Sequence, residues 1–218
     1  QSGGGAGGDD ASGKDERKDG RWGRKQDNDE GWAHKHTMDA YTAKRYSEAV
    51  DLFQAEDVDG CLGALGKLRM RSLNPYEKAV VFRFRGFVEY ARGDLAGARA
   101  ELEKARAENG LPAEDQAELT YKIAQMWLQE QNWDEGIAGL EAYLKLVETP
   151  NAMPYHLLAI AYFQKADYEG ALGPAQTAYE ISEEASEGVL QLLLAIRLTL
   201  RQYAESAPIL EELVAHYP

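Results

Sequence analysis

Apolar residues recur at helical spacing along most of the chain, and short polar breaks interrupt them at regular intervals. The stretch GFVEYARGDLAGARAELEKA, residues 86–105, has apolar residues on both sides of Gly93 and Asp94. A glycine inside a helix costs about 1 kcal/mol relative to alanine, so this break predicts two helices. Gly93 then follows the end of the first helix, and Asp94 caps the start of the second.

The same break returns at four other places. The residue after each break is large and apolar, and the five are separated by 37, 38, 35 and 35 positions: Val58, Leu95, Trp133, Tyr168 and Tyr203. Each is followed three places later by a small residue: Cys61, Ala98, Gly136, Ala171 and Ser206. A large residue followed by a small one lets two helices approach closely. A period in the mid-thirties with two helices per unit predicts a stacked α-solenoid.

The pattern therefore predicts an all-α chain of five helix-turn-helix repeats. We place the helices at about 39–55 with 57–70, 75–92 with 94–109, 113–131 with 133–148, 152–166 with 168–181, and 186–201 with 203–217. The corresponding repeats are about 39–74, 75–111, 112–149, 150–184 and 185–218. Three prolines fall at or near first-turn positions, where a missing N–H is harmless: Pro75, Pro112 and Pro154.

These positions resemble the tetratricopeptide repeat. The fourth repeat shows the match most fully, with Ala159, Tyr162, Tyr168, Ala171, Ala175 and Ala178. The resemblance covers about four fifths of the chain, and the leading helix of the first repeat is its weakest part. It implies a right-handed superhelix with a concave groove, lined by the first helix of each pair.

The resemblance also implies which residues point into the groove. Twelve occupy those positions: Arg83, Phe87, Tyr90, Tyr121, Gln125, Leu128, His156, Ile160, Phe163, Gln191, Ala195 and Leu198. Aromatic rings and neutral hydrogen-bonding groups suit an extended or helical peptide. The alternative is that several of these residues only pack against neighbouring helices.

Members of this family that grip the acidic C-termini of heat-shock chaperones use Lys, Asn and Arg at these positions. Here Arg83 stands alone, and Phe87, Gln125 and Ile160 occupy places where Asn would be needed. A groove flanked by many carboxylates should also repel an acidic tail. The resemblance therefore does not favour a chaperone-tail clamp.

Charge is distributed unevenly along the predicted solenoid. Residues 39–107 contain 12 Lys and Arg against 11 Asp and Glu, whereas residues 108–218 contain 5 against 18. The acidic half argues against nucleic acid as a partner, because it cannot neutralise phosphates. One basic cluster stands out: Arg69, Arg71, Arg83 and Arg85. We expect a solvated face with ion pairs to Glu77 and Glu89 rather than a partner surface.

No motif predicts catalysis, a cofactor or a metal site. The GGGAGG run lacks the Gly-Lys-Ser/Thr ending of a phosphate loop. Asp57 and Asp59 suggest a calcium loop, but its bidentate glutamate is missing, so capping is the plain role of Asp57. His34 and His36 make at most a weak adventitious metal site. Cys61 is a packing residue, and we expect a non-enzymatic protein.

Residues 1–38 are rich in glycine and in charges of both signs, which predicts a disordered tail. Trp22 and Trp32 are either plain tail residues or short anchors for a partner. The chain starts with Gln1, so a removed signal peptide and a trimmed start both remain open. No apolar run of the length needed to span a membrane is present.

The last predicted helix ends at the final position of a repeat. Its apolar residues would be only half packed without a further element: Ile209, Leu210, Leu213 and Val214. Solenoids usually protect such an end with a polar capping helix. We therefore expect a fragment of a longer array, or an end that a partner covers.

A closer resemblance extends over longer sequence segments. LNPYEKAVVFRFRGFVEYARGDLAGA, QAELTYKIAQMWLQEQNWDEGIAGLEAYL and VLQLLLAIRLTLRQYAESAPILEELVAHYP are similar, in that order, to periplasmic tetratricopeptide proteins that accompany TonB–ExbB–ExbD systems. The resemblance implies a periplasmic scaffold that binds TonB, ExbB, ExbD or a TonB-dependent receptor. The alternatives are a general adaptor or co-chaperone, and an accessory domain of an enzyme.

Overall fold

The structure is a computed structural model, and it describes residues 36–217 of the chain. The predictions made for Trp22, Trp32 and His34 lie outside that range, as does most of the predicted tail. Thr37 and Met38, also assigned to the tail, contact residues of the predicted repeats. The Thr37 carbonyl accepts a hydrogen bond from the Asn74 side chain at 3.2 Å, and Met38 packs on an apolar cluster around Ile123.

The described residues form ten α-helices in five consecutive pairs. They are α1 (Ala40–Gln54) with α2 (Val58–Gly66), α3 (Pro75–Ala91) with α4 (Leu95–Ala107), α5 (Ala113–Gln129) with α6 (Trp133–Leu146), α7 (Ala152–Gln164) with α8 (Tyr168–Glu180), and α9 (Glu187–Thr199) with α10 (Tyr203–His216). The predicted breaks are confirmed, because the second helix of every pair begins at the large residue that follows the break.

Helix α2 is shorter than predicted. It ends at Gly66 instead of residue 70, and a 3₁₀ helix, Met70–Ser72, follows it. Three of its nine residues are glycine, at 60, 63 and 66. Each weakens the helix by about 1 kcal/mol relative to alanine, which explains the early end.

All five turns within the pairs have the same backbone conformation. One residue in each has positive φ: Glu56, Gly93, Gln131, Ala166 and Arg201. The next residue donates its N–H to a carbonyl five positions back, as in Asp94 to Glu89 at 3.0 Å and Asp167 to Tyr162 at 3.0 Å. This is the Schellman motif, which satisfies the free carbonyls at a helix end. Gly93 is the only glycine among the five left-handed residues.

Three of the second helices are capped by an aspartate that accepts a hydrogen bond from a glycine N–H. The pairs are Asp57 with Gly60 at 2.9 Å, Asp94 with Gly97 at 2.8 Å, and Asp167 with Gly170 at 2.9 Å. A Cβ on any of these glycines would overlap the aspartate carboxylate. The capping role predicted for Asp57 and Asp94 is confirmed.

The small residues predicted at the helix crossings are buried: Cys61, Ala98, Gly136, Ala171 and Ser206. A Cβ on Gly136 would overlap the Leu128 side chain, so the glycine lets that side chain lie at the crossing of α5 and α6. Each second helix also packs against the first helix of the next pair, as α8 does against α9. These contacts build the stack.

The prediction that the arginine cluster forms ion pairs with Glu77 and Glu89 is wrong. Glu77 is buried, and its carboxylate accepts hydrogen bonds from the Asp39 N–H at 2.9 Å and the Asn74 N–H at 2.8 Å. It therefore ties the start of α1 to the start of α3, where the helix dipoles favour a carboxylate. Glu89 pairs with Arg92 at 3.7 Å.

In the part of the chain that the structure describes, no helix is both long enough and apolar enough to cross a membrane.

Candidate protein-binding site

A cavity of about 580 Å³ lies between α3 and α5, the first helices of the second and third pairs. We call it the aromatic cavity. Tyr46 of α1, Phe84 and Phe87 of α3, and Met126 of α5 contribute apolar surface to it. Gly86 lies among them, and a Cβ there would overlap Leu102 of α4. The glycine therefore lets α4 pack tightly behind the cavity wall.

Four rings from α1 and α3 pack together at one side of the aromatic cavity. Phe84 lies 5.2 Å from Tyr46 and 5.9 Å from Phe53, measured between ring centroids. Phe87 lies 5.3 Å from Phe53 and is stacked on Phe84 at 6.5 Å. Edge-to-face and offset pairs of this kind stabilise one another by about 0.5–1.5 kcal/mol each beyond the area that they bury.

Two of the aromatic residues that line the cavity remain open to solvent. Phe87 is 54% exposed and Tyr90 is 50% exposed, although both carry large rings. Arg83, Phe87 and Tyr90 lie three and four residues apart and therefore share one face of α3. Val81 and Val88 on the opposite face are fully buried. The fold thus leaves ring surface exposed on one face of α3 and buries the other.

The charged groups at the edge of the aromatic cavity pair with one another. Arg83 lies 3.4 Å from Asp115, and Lys122 lies 2.7 Å from Glu118. The hydrogen bond from Lys122 lowers the pKa of the Glu118 carboxyl. Both pairs are well exposed, so each contributes at most about 1 kcal/mol to stability. The edge carries two positive and two negative side chains, and it is electrically balanced.

The cavity brings together four of the twelve predicted groove residues: Arg83, Phe87, Tyr90 and Gln125. It also includes residues that the prediction missed, among them Tyr46, Phe84 and Lys122. Tyr46 and Phe53, seven residues apart on α1, were a detectable signal for an aromatic face. The first helix of the first pair departs most from the repeat pattern. The resemblance to the repeat family therefore assigned no groove positions to it.

Three other predicted groove residues contact the second helix of their own pair. The ring of Tyr121 lies 4.8 Å from Tyr143, and burial raises the pKa of the Tyr121 phenol. Phe163 lies edge-on to Tyr168 at 5.3 Å. Leu128 sits against Gly136, as described above. All three are half-buried. The contacts favour the packing alternative, and a binding role for these residues stays a prediction.

The remaining five lie on α7 and α9. Ile160 and Ala195 are half-buried, whereas Leu198 and Gln191 are exposed, and Gln191 donates a hydrogen bond to Glu187 at 2.7 Å. His156 is half-buried, burial lowers its pKa, and its Nδ1 atom has no hydrogen-bond partner among the described residues. Nothing in the structure tests a binding role for these five.

Among residues 36–217, no cluster of three or more His, Cys, Asp or Glu side chains could hold a metal ion. Cys61 is fully buried, and burial raises the pKa of its thiol, which disfavours the reactive thiolate.

No protein-family model matches the chain, and no curated protein matches its sequence. Solved structures do match. A MamA RS-1 double mutant has a TM-score of 0.65 at 16% identity and covers 82% of this chain and 96% of its own. MamA from Desulfovibrio magneticus RS-1 has a TM-score of 0.63 at 15% identity, with the same coverage. A Podosopora anserina protein with nearly identical TPR-like repeats has a TM-score of 0.58 at 16% identity and covers 82% of this chain and 96% of its own.

At sequence identities of 15–16%, the similarity to these solved structures establishes the fold. The chain is an all-α solenoid of the tetratricopeptide type, which confirms the predicted fold class.

Proposed function

We propose that the protein is a non-enzymatic scaffold that binds a partner protein through the aromatic cavity. One observation carries the proposal: Phe87 and Tyr90 are half exposed beside a cavity of about 580 Å³. Fully burying a large apolar side chain is favourable by about 1.5–3 kcal/mol. Exposed aromatic anchors of this kind dominate the binding energy of many protein interfaces.

The balanced edge of the cavity favours an apolar anchor over an acidic one. Arg83 and Lys122 already have carboxylate partners, so an acidic peptide would have to displace Asp115 or Glu118 to reach them. A bulky apolar side chain entering the cavity would disturb neither pair. The partner is therefore an extended or helical segment with one or two aromatic or aliphatic anchors.

We also propose that this scaffold is a periplasmic accessory of a TonB-type energy-transduction system. The resemblance of three sequence segments to periplasmic tetratricopeptide proteins supports this proposal. TonB, ExbB, ExbD or a TonB-dependent receptor would supply the bound segment. The alternative is a general adaptor or co-chaperone. Genes for TonB and ExbB beside the gene for this protein would favour the first proposal.

A pull-down with two variant baits tests both proposals: that the aromatic cavity is the binding site, and that the partner belongs to a TonB-type system. Phe87→Gln with Tyr90→Gln removes the two exposed rings, whereas Tyr41→Gln removes an exposed ring on α1 outside the cavity. We expect the Tyr41 variant to capture the same envelope proteins as the unaltered chain, and the cavity variant to lose them with unchanged helicity. Equal capture by both baits would contradict the cavity as the binding site.

The identity of the captured proteins tests the finer proposal separately. Recovery of TonB, ExbB or ExbD from periplasm and inner membrane supports the TonB assignment. Recovery of cytosolic chaperones alone would refute it and leave the adaptor alternative.

A further inference from the structure

Four aromatic side chains line the aromatic cavity: Tyr46, Phe84, Phe87 and Tyr90. Phe87 and Tyr90 are about half exposed, so part of their ring surface is free to contact a ligand. An aromatic ring that enters the cavity can pack edge-to-face or offset against these rings, in arrangements that an aliphatic side chain cannot form. The wall of the cavity therefore favours an aromatic anchor over an aliphatic one.

The size of the cavity favours a large ring. Its volume of about 580 Å³ lies in the range of small-ligand pockets and exceeds the volume of any single side chain. Wall atoms that meet no partner lose their dispersion contacts, so a larger anchor makes more of the available contacts. Tryptophan has the largest side chain, whereas a leucine would leave more of the wall without contacts.

A hydroxyl group at the cavity can distinguish one aromatic ring from another. Tyr46 is half-buried, and its hydroxyl forms no hydrogen bond with the residues that the structure describes. Burial raises the pKa of the Tyr46 phenol, whereas the charge of Arg83 acts in the opposite direction. The phenol therefore lies within the electrostatic reach of Arg83, which also lines the cavity.

The Tyr46 hydroxyl favours an anchor with a hydrogen-bond donor on its ring. An indole N–H can donate a hydrogen bond to the Tyr46 oxygen, and a phenyl ring cannot. A ring that enters beside this hydroxyl displaces water, and it binds more weakly when it does not replace the hydrogen bond that is lost. A site with such a polar group discriminates against the analogue that lacks the donor. Tryptophan combines the donor with the largest ring.

We propose that a tryptophan side chain of the partner protein enters the aromatic cavity, packs on Phe87 and donates its N–H to the Tyr46 hydroxyl. This inference rests on the proposed function, because it names the anchor of the partner that binds there. Phe87 selects an aromatic anchor over an aliphatic one, and Tyr46 selects indole over phenyl.

Three blocked amino acids serve as probes of the anchor: N-acetyl-tryptophanamide, N-acetyl-phenylalaninamide and N-acetyl-leucinamide. NMR titration of the isotope-labelled full chain measures their affinities, which should decrease in that order. We expect the tryptophan probe to bind about 10-fold more tightly than the leucine probe, because only the ring gains the aromatic contacts.

Two substitutions separate the two kinds of selection. Phe87→Leu keeps an apolar side chain but removes the ring, so it should weaken binding of both aromatic probes and leave the leucine probe nearly unchanged. Tyr46→Phe keeps the ring but removes the hydroxyl, so it should abolish the preference for the tryptophan probe over the phenylalanine probe. Tyr41→Leu removes an exposed ring outside the cavity and is the matched control, which should change none of the affinities. Circular dichroism verifies that each variant folds.

Equal affinities for the three probes would overturn the inference, as would the absence of saturable binding. A preference for tryptophan that neither cavity substitution alters would overturn it too. The pull-down with Phe87→Gln and Tyr90→Gln tests the proposed function separately. Lost capture without any preference among the probes would overturn only the tryptophan anchor. Equal capture together with selective binding of the tryptophan probe would reject the protein partner and assign the cavity to a small aromatic ligand.

Discussion

The first three pairs of helices and the last two pack with different residues. Between α1 and α3 the contacts include large rings such as Phe84, and between α4 and α5 they include the long cationic side chain of Arg99. Between α7, α8 and α9 the buried core consists of small and aliphatic residues, among them Ala175 and Leu193, and rings such as Phe163 pack at its edge. Small residues let helices approach closely, whereas bulky ones hold them apart. In this chain the aromatic cavity lies beside the rings that α1 and α3 contribute.

Electrostatics separates the same two regions. In the first, Arg99 lies 3.3 Å from the centroid of the Trp127 ring and 3.0 Å from the Glu130 carboxylate, which links α4 to α5. In the second, carboxylates outnumber cations, and the last helix, α10, contains no Lys or Arg. The two regions therefore offer different surfaces: the first has an electrically balanced aromatic cavity, and the second is acidic.

The largest expected effect concerns the alanine–leucine core of the second region. Leu193→Ala should lower the free energy of unfolding by about 2–5 kcal/mol, because Leu193 is fully buried and its loss leaves a cavity. Leu198→Ala on the same helix should cost less than about 1 kcal/mol, because Leu198 is half exposed. Urea unfolding measures both, and equal losses would contradict the packing described for α9.

A smaller loss is expected where a cation bridges two pairs of the first region. Arg99→Ala removes the contact with Trp127 and the ion pair with Glu130, and should cost about 1–2 kcal/mol. Arg99→Lys should recover only part of this, because a lysine cannot lie flat on the ring while forking to a carboxylate. Identical stabilities for the Lys and Ala variants, measured by urea unfolding, would argue that charge at this position contributes nothing.

The turns allow a stabilising change in the second region. Ala166 has a φ of 59°, a conformation that glycine adopts without steric cost, so Ala166→Gly should stabilise the protein by about 0.5–1 kcal/mol. Gly93→Ala should destabilise it by a similar amount. Ala138→Gly, at an exposed position inside α6, is the control. It should destabilise the protein, because glycine in a helix has a lower helix propensity than alanine and gains nothing in return. A loss of stability in Ala166→Gly would contradict the left-handed turn.

The smallest effect is a pH dependence from His156. Burial lowers its pKa, so the unfolded chain binds a proton more readily than the folded chain does. Its contribution to stability is present above the ordinary histidine pKa of about 6.5 and is lost as the pH falls through the lowered value. His156→Gln should flatten the stability profile below about pH 6.5. An unchanged profile in chemical denaturation at several pH values would show that His156 is not the group responsible.

Much of the fold could be predicted from the spacing of large and small residues. Those residues are the contacts at the helix crossings, so their period reports the repeat itself. The end of α2 could not be placed, because its three glycines act against the apolar pattern. Glu77 was misassigned for a different reason. Asn74 and Glu77 form a capping box, a local signal that was present in the sequence but was interpreted as a surface charge.

The candidate site could be predicted only in part. Positions carried over from the repeat family place Phe87 and Tyr90 beside the cavity. They do not distinguish a side chain that faces the cavity from one, such as Tyr121, that turns toward its own second helix. The last helix was predicted to be half packed at Ile209, Leu210, Leu213 and Val214. Leu210 and Val214 are exposed, whereas Ile209 is buried in the cluster that α9 contributes to.

Photo-cross-linking at two aromatic positions tests whether the aromatic cavity binds a protein. A photoreactive phenylalanine analogue at Phe87 would report on the aromatic cavity, and the same analogue at Tyr41 would report on an exposed aromatic position outside it. In an envelope fraction containing periplasm and inner membrane, we expect a discrete protein adduct from position 87 and none from position 41. Adducts of equal yield at both positions, or none at position 87, would contradict the aromatic cavity as a protein-binding site.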